Sequence, residues 1–341
     1  MKILVVAPSW IGDTVLAQPL LALLHDRHKP LAIDVLAPAW TFPVVQRMPE
    51  VRSTIASPFE HGEFQFGERR DLGRELRSEE YDQAIVLPNT LKSAFVPVFA
   101  RIPRRTGYRG EMRWGALNDL RVLDEEALPQ MAQRYAALGL DPGDALPSPL
   151  PRPHLRVDDA ERAATLATLG LDGSPRAVAL CPGAEYGPAK RWPPSYFAEV
   201  ARTLSARGDA VWLVGSAKDA DIAQDIVRLS GGACVNLCGK TTLDQAIALL
   251  ASARLVISND SGLMHVAAAV ETPLVAIYGS STPAFTPPMS ARATIAKLDI
   301  PCSPCFERTC PLGHFNCMMQ LKPEQVLELA STDADRRRSL C

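Results

Sequence analysis

Ser258-Asn259-Asp260-Ser261-Gly262-Leu263-Met264-His265 follows the run Leu255-Val256-Ile257 and leads into Val266-Ala267-Ala268-Ala269. The run before it is short, β-branched and apolar, and reads as a buried strand. The run after it reads as the first turns of a helix. The octet is then a strand-to-helix turn, with Gly262 where the backbone bends tightly or lets a ligand approach. Asp260 and Ser261 are good N-cap types. The free N–H groups of such a helix start attract anions, diphosphates above all. Any ordinary capped helix can carry the same tripeptide, so the octet gains its weight from its surroundings.

Working outward, Ala177–Leu180 is a strand that runs into Pro182-Gly183-Ala184, and Pro193–Ala206 is a helix with proline at its start. Ala210–Val214 is a strand ending at Gly215. Leu243–Ala251 is a helix, and Leu274–Ile277 a strand ending at Gly279. Residues 142–153 are rich in proline and lack periodicity, which reads as a linker. Before the linker the same alternation occurs. Lys2–Ala7 is a strand, residues 8–12 a turn and Asp13–His28 a helix; Ala32–Leu36 and Ala84–Leu87 are further strands. Strands alternating with helices make βαβ units and parallel sheets. The expected fold is α/β, two Rossmann-like domains facing across a cleft, with domains at 1–155 and 156–341. In such sheets ligands sit beyond the carboxyl ends of the strands. The octet, residues 183–190 and residues 215–216 all fall there in the second half, and residues 8–13 in the first.

Composition bounds the function classes. The chain has 341 residues, 47% hydrophobic and 22% charged, with a net charge of −2. That is a soluble globular composition with length for two cores, and it argues against a general nucleic-acid binder. The start of the chain lacks a full signal-peptide core, and no uncharged, proline-free apolar run is long enough to span a bilayer. The expected compartment is the reducing cytoplasm.

Several side chains can carry chemistry. Lys190 lies in a long polar loop just before a helix start, where a lysine can set a point charge on a phosphate. A surface lysine is its bland alternative. Asp13 follows Gly12 at the first helix start; it is either an N-cap or a carboxylate placed to take a proton from an attacking hydroxyl. His265 lies one helix turn from the capping residues. Residues 101–113 hold Arg101, Arg104, Arg105, Arg109 and Arg113 against one acid, Glu111. They form either a solvated loop or a patch for an anionic substrate. Cys302, Cys305, Cys310 and Cys317 are spaced C-x2-C-x4-C-x6-C, with His314 among them. A structural zinc is conceivable, but the spacing fits no common finger, and packed free thiols are the expected state. No G-x-G-x-x-G follows the first strand, and Walker and H-E-x-x-H motifs are absent.

Together these residues resemble the ADP-heptose:lipopolysaccharide heptosyltransferases, inverting glycosyltransferases of the two-Rossmann GT-B type. The resemblance rests on Pro8-Ser9-Trp10-Ile11-Gly12-Asp13, on residues 181–193, on Asn259-Asp260-Ser261-Gly262-Leu263-Met264-His265, and on the cysteine run ending in Cys310-Pro311-Leu312-Gly313-His314. It spans nearly the whole chain. It implies ADP-L-glycero-D-manno-heptose as donor on the C-terminal domain. It implies the heptosylated Kdo2-lipid A core as acceptor, met by the N-terminal domain at the inner face of the cytoplasmic membrane of a Gram-negative cell.

Carried over by position, Asp13 is the candidate base. Lys190, Asp260, Ser261 and Gly262 meet the diphosphate and donor sugar, Thr241 the adenosine, and His265 and Glu185 belong to the donor site. Ser9, Arg101, Arg105 and Arg109 are acceptor candidates. One branch of the family has paired threonines before the lysine, where this chain has Glu185, Tyr186 and Gly187. The implied reaction is a single displacement with inversion, needing no cofactor and no catalytic metal. The rivals are a two-Rossmann nucleotide-sugar epimerase and a nucleotide-sugar binder without turnover.

Overall fold

A computed structural model describes residues 1–59, 62–171 and 173–338, with side chains through residue 331. The chain divides into two compact units, Met1–His154 and Leu155–Cys341. The first carries strands β1 (Lys2–Val6), β2 (Ala32–Pro38), β3 (Val51–Ser57), β4 (Gln83–Val86), β5 (Arg104–Tyr108) and β6 (Asp119–Arg121). They form one sheet in the order β3-β2-β1-β4-β5-β6, with every pairing parallel. The second carries β7 (Ala177–Cys181), β8 (Ala210–Leu213), β9 (Val235–Asn236), β10 (Leu255–Asn259), β11 (Leu274–Ile277) and β12 (Ala293–Ala296). Their order is β12-β11-β10-β7-β8-β9, again all parallel.

The central strands read as continuous apolar runs because helices cover both faces of each sheet. Leu4 and Val6 point into one core with Leu36, Val86 and Val96, while Ile3 and Val5, on the opposite face, are equally buried. In the second unit Val178, Leu180, Ile257, Val275 and Ile277 pack under Phe197, Val200 and Ile226. The unit thus has an α/β core that leaves polar side chains to the strand ends.

Two expectations need correction. The helix expected over Asp13–His28 is two helices, Ile11–Leu16 and Gln18–Arg27. Pro19 cannot donate to the carbonyl four residues back, and its ring crowds that carbonyl, so the helix breaks at Ala17. The helix start also lies earlier than expected, with Trp10 at the N-cap and Asp13 inside the first turn. Residues 101–113 are not simply a loop, because β5 runs through them and pairs with β4. Residues 142–153 carry no helix or strand. Among the described residues no helix is long and apolar enough to cross a membrane.

Candidate active site

In the second sheet β7 has β10 on one side and β8 on the other. The chain therefore leaves β7 in one direction and β10 in the other, which is the topological switch point where α/β sheets bind ligands. Two loops meet there. One follows β7 and runs from Pro182 to Trp192; the other follows β10 and opens the helix Gly262–Ala269. Asn259, fully buried at the end of β10, joins them. Its Nδ2 donates to the Pro182 carbonyl at 2.7 Å, and its Oδ1 accepts from the Trp192 N–H at 3.1 Å. An asparagine amide supplies a donor and an acceptor, and here each satisfies one end of the same loop.

That loop carries Lys190 onto Asp260. The ammonium lies 2.5 Å from Asp260 Oδ2, and the Ser281 hydroxyl donates to the same oxygen at 2.5 Å. Asp260 is almost fully buried and Lys190 mostly so. The Tyr186 ring lies beneath Lys190 Nζ, 5.1 Å from its centroid. The lysine stem is thus held on two sides. An ammonium has three N–H donors; Asp260 takes one, which leaves donors for an anion. Asp260 is accordingly a positioning carboxylate, not the helix cap expected from its residue type.

The helix Gly262–Ala269 starts without a side-chain cap. Ser261 occupies the N-cap in an extended conformation, yet its hydroxyl makes no bond to the first turn and lies 3.4 Å from Ser258 Oγ. In the same unit Thr242 and Gln245 form a capping box and Asp158 accepts from the Glu161 N–H, while the helices starting at Pro194 and Ala220 also lack a side-chain cap. The helix beside Lys190 therefore keeps its first-turn N–H groups open to an anion.

His265, one turn along, is buried, and its Nδ1 has no hydrogen-bond partner. Burial holds its pKa down to about 4, against the opposing charge of Asp260, so the imidazole is neutral at pH 7. Ser280 Oγ, next to Ser281, is also buried and unpartnered. Each such orphan costs roughly 1–3 kcal/mol, and polar groups of this kind concentrate at functional sites.

The remaining donor candidates sit at the rim. The Glu185 carboxylate pairs with Lys218 on the surface. Thr241 is half-buried in the turn between Gly239 and the capping Thr242. Gly239 has φ +74, and a Cβ there would meet the Ala217 backbone at 2.9 Å, so that turn requires glycine. Tyr186, Ser281 and Asn259 pack or bond around Lys190, Asp260 and their loop, and sequence reasoning gave none of the three a role. Of these only Asn259 had a signal, a polar residue ending an apolar strand.

In the first unit, Ser9 lies in the turn after β1, and its carbonyl accepts from Trp40 Nε1 at 2.9 Å. Asp13 is half-buried in the first helix turn, where an anion is favoured by the helix dipole. Its charge and, chiefly, burial raise the Tyr135 hydroxyl well above the usual phenol range.

The five arginines separate into different roles. Arg113 is fully buried, donating to the carbonyls of Tyr108 and Pro88 and to Asn89 Oδ1. Arg104 pairs with Asp119 and Asp141. Arg105 donates to the carbonyls of Ala116 and Ile102, each at 2.7 Å. Arg101, Arg104 and Arg109 are exposed, Arg105 is half-buried and Arg113 fully buried, so a five-arginine surface patch does not exist.

Cys302, Cys305, Cys310 and Cys317 are free thiols that line one cavity. Among the described residues no three His, Cys, Asp or Glu side chains are grouped to hold a metal.

Comparison with known proteins gives this geometry a family. Residues 69–316 match Glycosyltransferase family 9 (heptosyltransferase). The chain is 47% identical to lipopolysaccharide heptosyltransferase 2 of Escherichia coli K12, over 96% of this chain and 97% of that one. It is 46% identical to lipooligosaccharide heptosyltransferase 2 of Haemophilus influenzae, covering 87% and 89%. The solved structure of E. coli ADP-heptose lps heptosyltransferase II superposes with a TM-score of 0.89 at 44% identity, over 99% of this chain and 100% of that one. The chain belongs to glycosyltransferase family 9, the heptosyltransferases.

Proposed function

We propose that this protein is an inverting glycosyltransferase that moves L-glycero-D-manno-heptose from ADP-heptose to the heptosyl-Kdo2-lipid A inner core in lipopolysaccharide assembly. The observation that carries the reading is the switch point of the second sheet. There Lys190 and an uncapped helix start converge, in a chain 47% identical to a heptosyltransferase 2.

The second unit holds the donor. Lys190 and the first-turn N–H groups after Ser261 and Gly262 meet the diphosphate, and Thr241 meets the adenosine side. His265, neutral and with Nδ1 unpartnered, accepts or donates a single hydrogen bond without adding charge. Chemistry is one displacement. The acceptor hydroxyl oxygen attacks the anomeric carbon while the Asp13 carboxylate takes its proton. The bond from that carbon to the β-phosphate oxygen breaks, and the charge growing on ADP falls on Lys190 and the helix start. The configuration inverts. Fixed protein charges perform the neutralisation, so the reading calls for no cofactor and no catalytic metal.

The first unit meets the acceptor through Ser9, Arg101 and Arg109. Arg105, with two of its donors on carbonyls, shapes that surface more than it binds. Peripheral contact with the cytoplasmic face of the inner membrane belongs to the same reading. It is supported by Met112 and Trp114, 75% and 61% exposed on either side of buried Arg113, since tryptophan favours the membrane interface.

The test is incubation with ADP-heptose, with and without heptosyl-Kdo2-lipid A. Heptose transfer only when the acceptor is present supports the reading. Turnover of donor alone would indicate an epimerase, and retention without turnover a binding protein.

A further inference from the structure

The segment from Pro301 to Cys317 is tied to the loop after β7 and to the residues that follow β11. Tyr186 donates its hydroxyl to the Phe306 carbonyl at 2.6 Å, and the Ala189 N–H donates to the Arg308 carbonyl at 3.0 Å. The Phe306 N–H donates to the Ser280 carbonyl at 2.7 Å, and Ser303 Oγ to the Gly279 carbonyl at 2.7 Å. Gly187 is required by the same packing, because a Cβ there would collide with the Arg308 carbonyl. Behind these contacts lies a cavity of about 320 Å³ that Cys302, Cys305, Cys310 and Cys317 line together with Ala189 and Ser280. The cavity therefore touches the residues next to Lys190 and Ser281.

Cys310 is unlike the other three. The Phe315 N–H donates to its Sγ at 3.4 Å. That bond, with smaller contributions from the N–H groups of Leu312, Gly313 and His314, holds its pKa below that of an ordinary thiol. Gly313 and Phe315 take left-handed conformations, φ +70 and φ +49, and such alternation turns successive N–H groups into an anion-binding nest. Cys317 is the opposite case. Burial, then the nearby Cys302, Cys305 and Cys310, raise its thiol. A half-exposed thiol that accepts a backbone N–H and whose pKa is lowered, with a second thiol lining the same cavity, is the arrangement of a peroxide-sensing cysteine pair.

We propose that Cys310 is a site of oxidation by hydrogen peroxide, that Cys317 captures the oxidised sulfur, and that the resulting disulfide weakens donor binding. In the first step the Cys310 thiolate attacks peroxide. An S–O bond forms, the O–O bond breaks, and the departing hydroxide takes a proton to become water. Cys310 loses two electrons and the peroxide gains them. In the second step the Cys317 sulfur attacks the sulfenic sulfur. An S–S bond forms, the S–O bond breaks, and hydroxide leaves with the Cys317 proton as water. Two thiols and one peroxide give one disulfide and two waters. The coupling to donor binding rests on the donor-site reading; the thiol chemistry does not.

The experiment uses the full chain, with ADP as the donor probe. Limited alkylation followed by peptide mass mapping should label Cys310 on the order of tenfold faster than Cys302, Cys305 and Cys317. Stoichiometric peroxide should yield a Cys310–Cys317 disulfide that dithiothreitol reverses. The disulfide should lower ADP affinity several-fold in calorimetry. Cys310→Ser should abolish disulfide formation while keeping ADP affinity, and Cys317→Ser should leave a sulfenic acid that a 1,3-diketone traps at Cys310. Equal labelling of the four thiols would overturn the proposal. So would a disulfide with unchanged ADP affinity, or tightly held zinc or iron that occupies the thiols of the purified protein. If the reduced protein does not bind ADP at all, the donor-site reading fails, while the mass map still judges the thiol chemistry.

Discussion

Replacing Lys190 by methionine keeps the aliphatic stem and removes the charge. With Nζ 2.5 Å from Asp260 Oδ2 and an effective dielectric of about 20, the attraction is about 7 kcal/mol. Desolvation of two mostly buried ions cancels much of that. Removing the cation alone leaves the Asp260 carboxylate, 4% exposed, with the Ser281 hydroxyl as its remaining side-chain partner. An abandoned buried charge costs about 3–5 kcal/mol, and the Ser281 bond puts this case near 3. For a domain of this size that lowers Tm by about 6–12 °C. Loss of a charge-assisted bond to the diphosphate costs a further ~1.5–3 kcal/mol of binding, or about 10–150-fold in ADP affinity.

The two effects separate in a double variant. Lys190→Met with Asp260→Asn removes both charges and keeps an acceptor for Ser281, so most of the lost Tm should return. ADP affinity should stay low. Calorimetry with ADP and thermal melts on the parent, both single variants and the double variant measure this. ADP affinity within about threefold of the parent in Lys190→Met would show that the lysine serves the fold alone.

Asp13→Asn should keep fold and ADP affinity and lower kcat by roughly 10²–10⁴; near-parental turnover would leave the reaction without this base. His265, held at about 4 by burial, titrates near 6.5 when unfolded. Its contribution to stability is complete above pH 6.5 and is lost as pH falls from 6.5 toward 4, by about 3 kcal/mol in all. Urea midpoints should therefore drop across that window in the parent and much less in His265→Gln. Arg109→Glu should raise the acceptor KM and lessen its increase with salt without changing the donor KM, whereas Arg113→Glu should fail in stability first, because it places a carboxylate among carbonyl oxygens; a donor-only effect of Arg109→Glu would move that residue to the other substrate.

The legible part of the fold was its middle. β1, β2, β4, β7, β8, β10 and β11 are buried apolar runs, and burial on both faces makes such runs easy to read. β3, β6, β9 and β12 are the edge strands, half-exposed and mixing polar with apolar residues, and β5, one strand in from an edge, is exposed at Arg104 and buried from Thr106 onward. Arg104-Arg105-Thr106-Gly107-Tyr108 has neither the run nor the alternation of a strand, and it is ordered by pairing with β4. Arginine counting failed for a related reason. Whether a guanidinium meets solvent or a cage of carbonyls depends on how the chain folds back, and the Pro88, Asn89 and Tyr108 partners of Arg113 come from the loop after β4 and the end of β5. Lys190 and Asp260 were each visible as donor-site candidates, but their pairing was not, since it joins residues 70 apart in sequence.

The Asn259 stitch also sets an order of assembly during synthesis. Asn259 reaches Pro182 across 77 residues, and β7 has no β10 to lie against until that intervening chain exists. Non-local parallel pairing of this kind is slow to form, whereas the first unit closes its own long span early, with the Lys2 N–H bonded to Asp82. Units made first fold first on the ribosome. A nascent chain stalled before Leu255 should thus contain a protease-resistant first unit above a second unit that is still open to cleavage and retains no ADP. Equal protection of both units at that length would mean that β7 and β8 fold without β10. If they do not, the switch point between β7 and β10 is among the last features of the molecule to come into being, and a prematurely released chain lacks it.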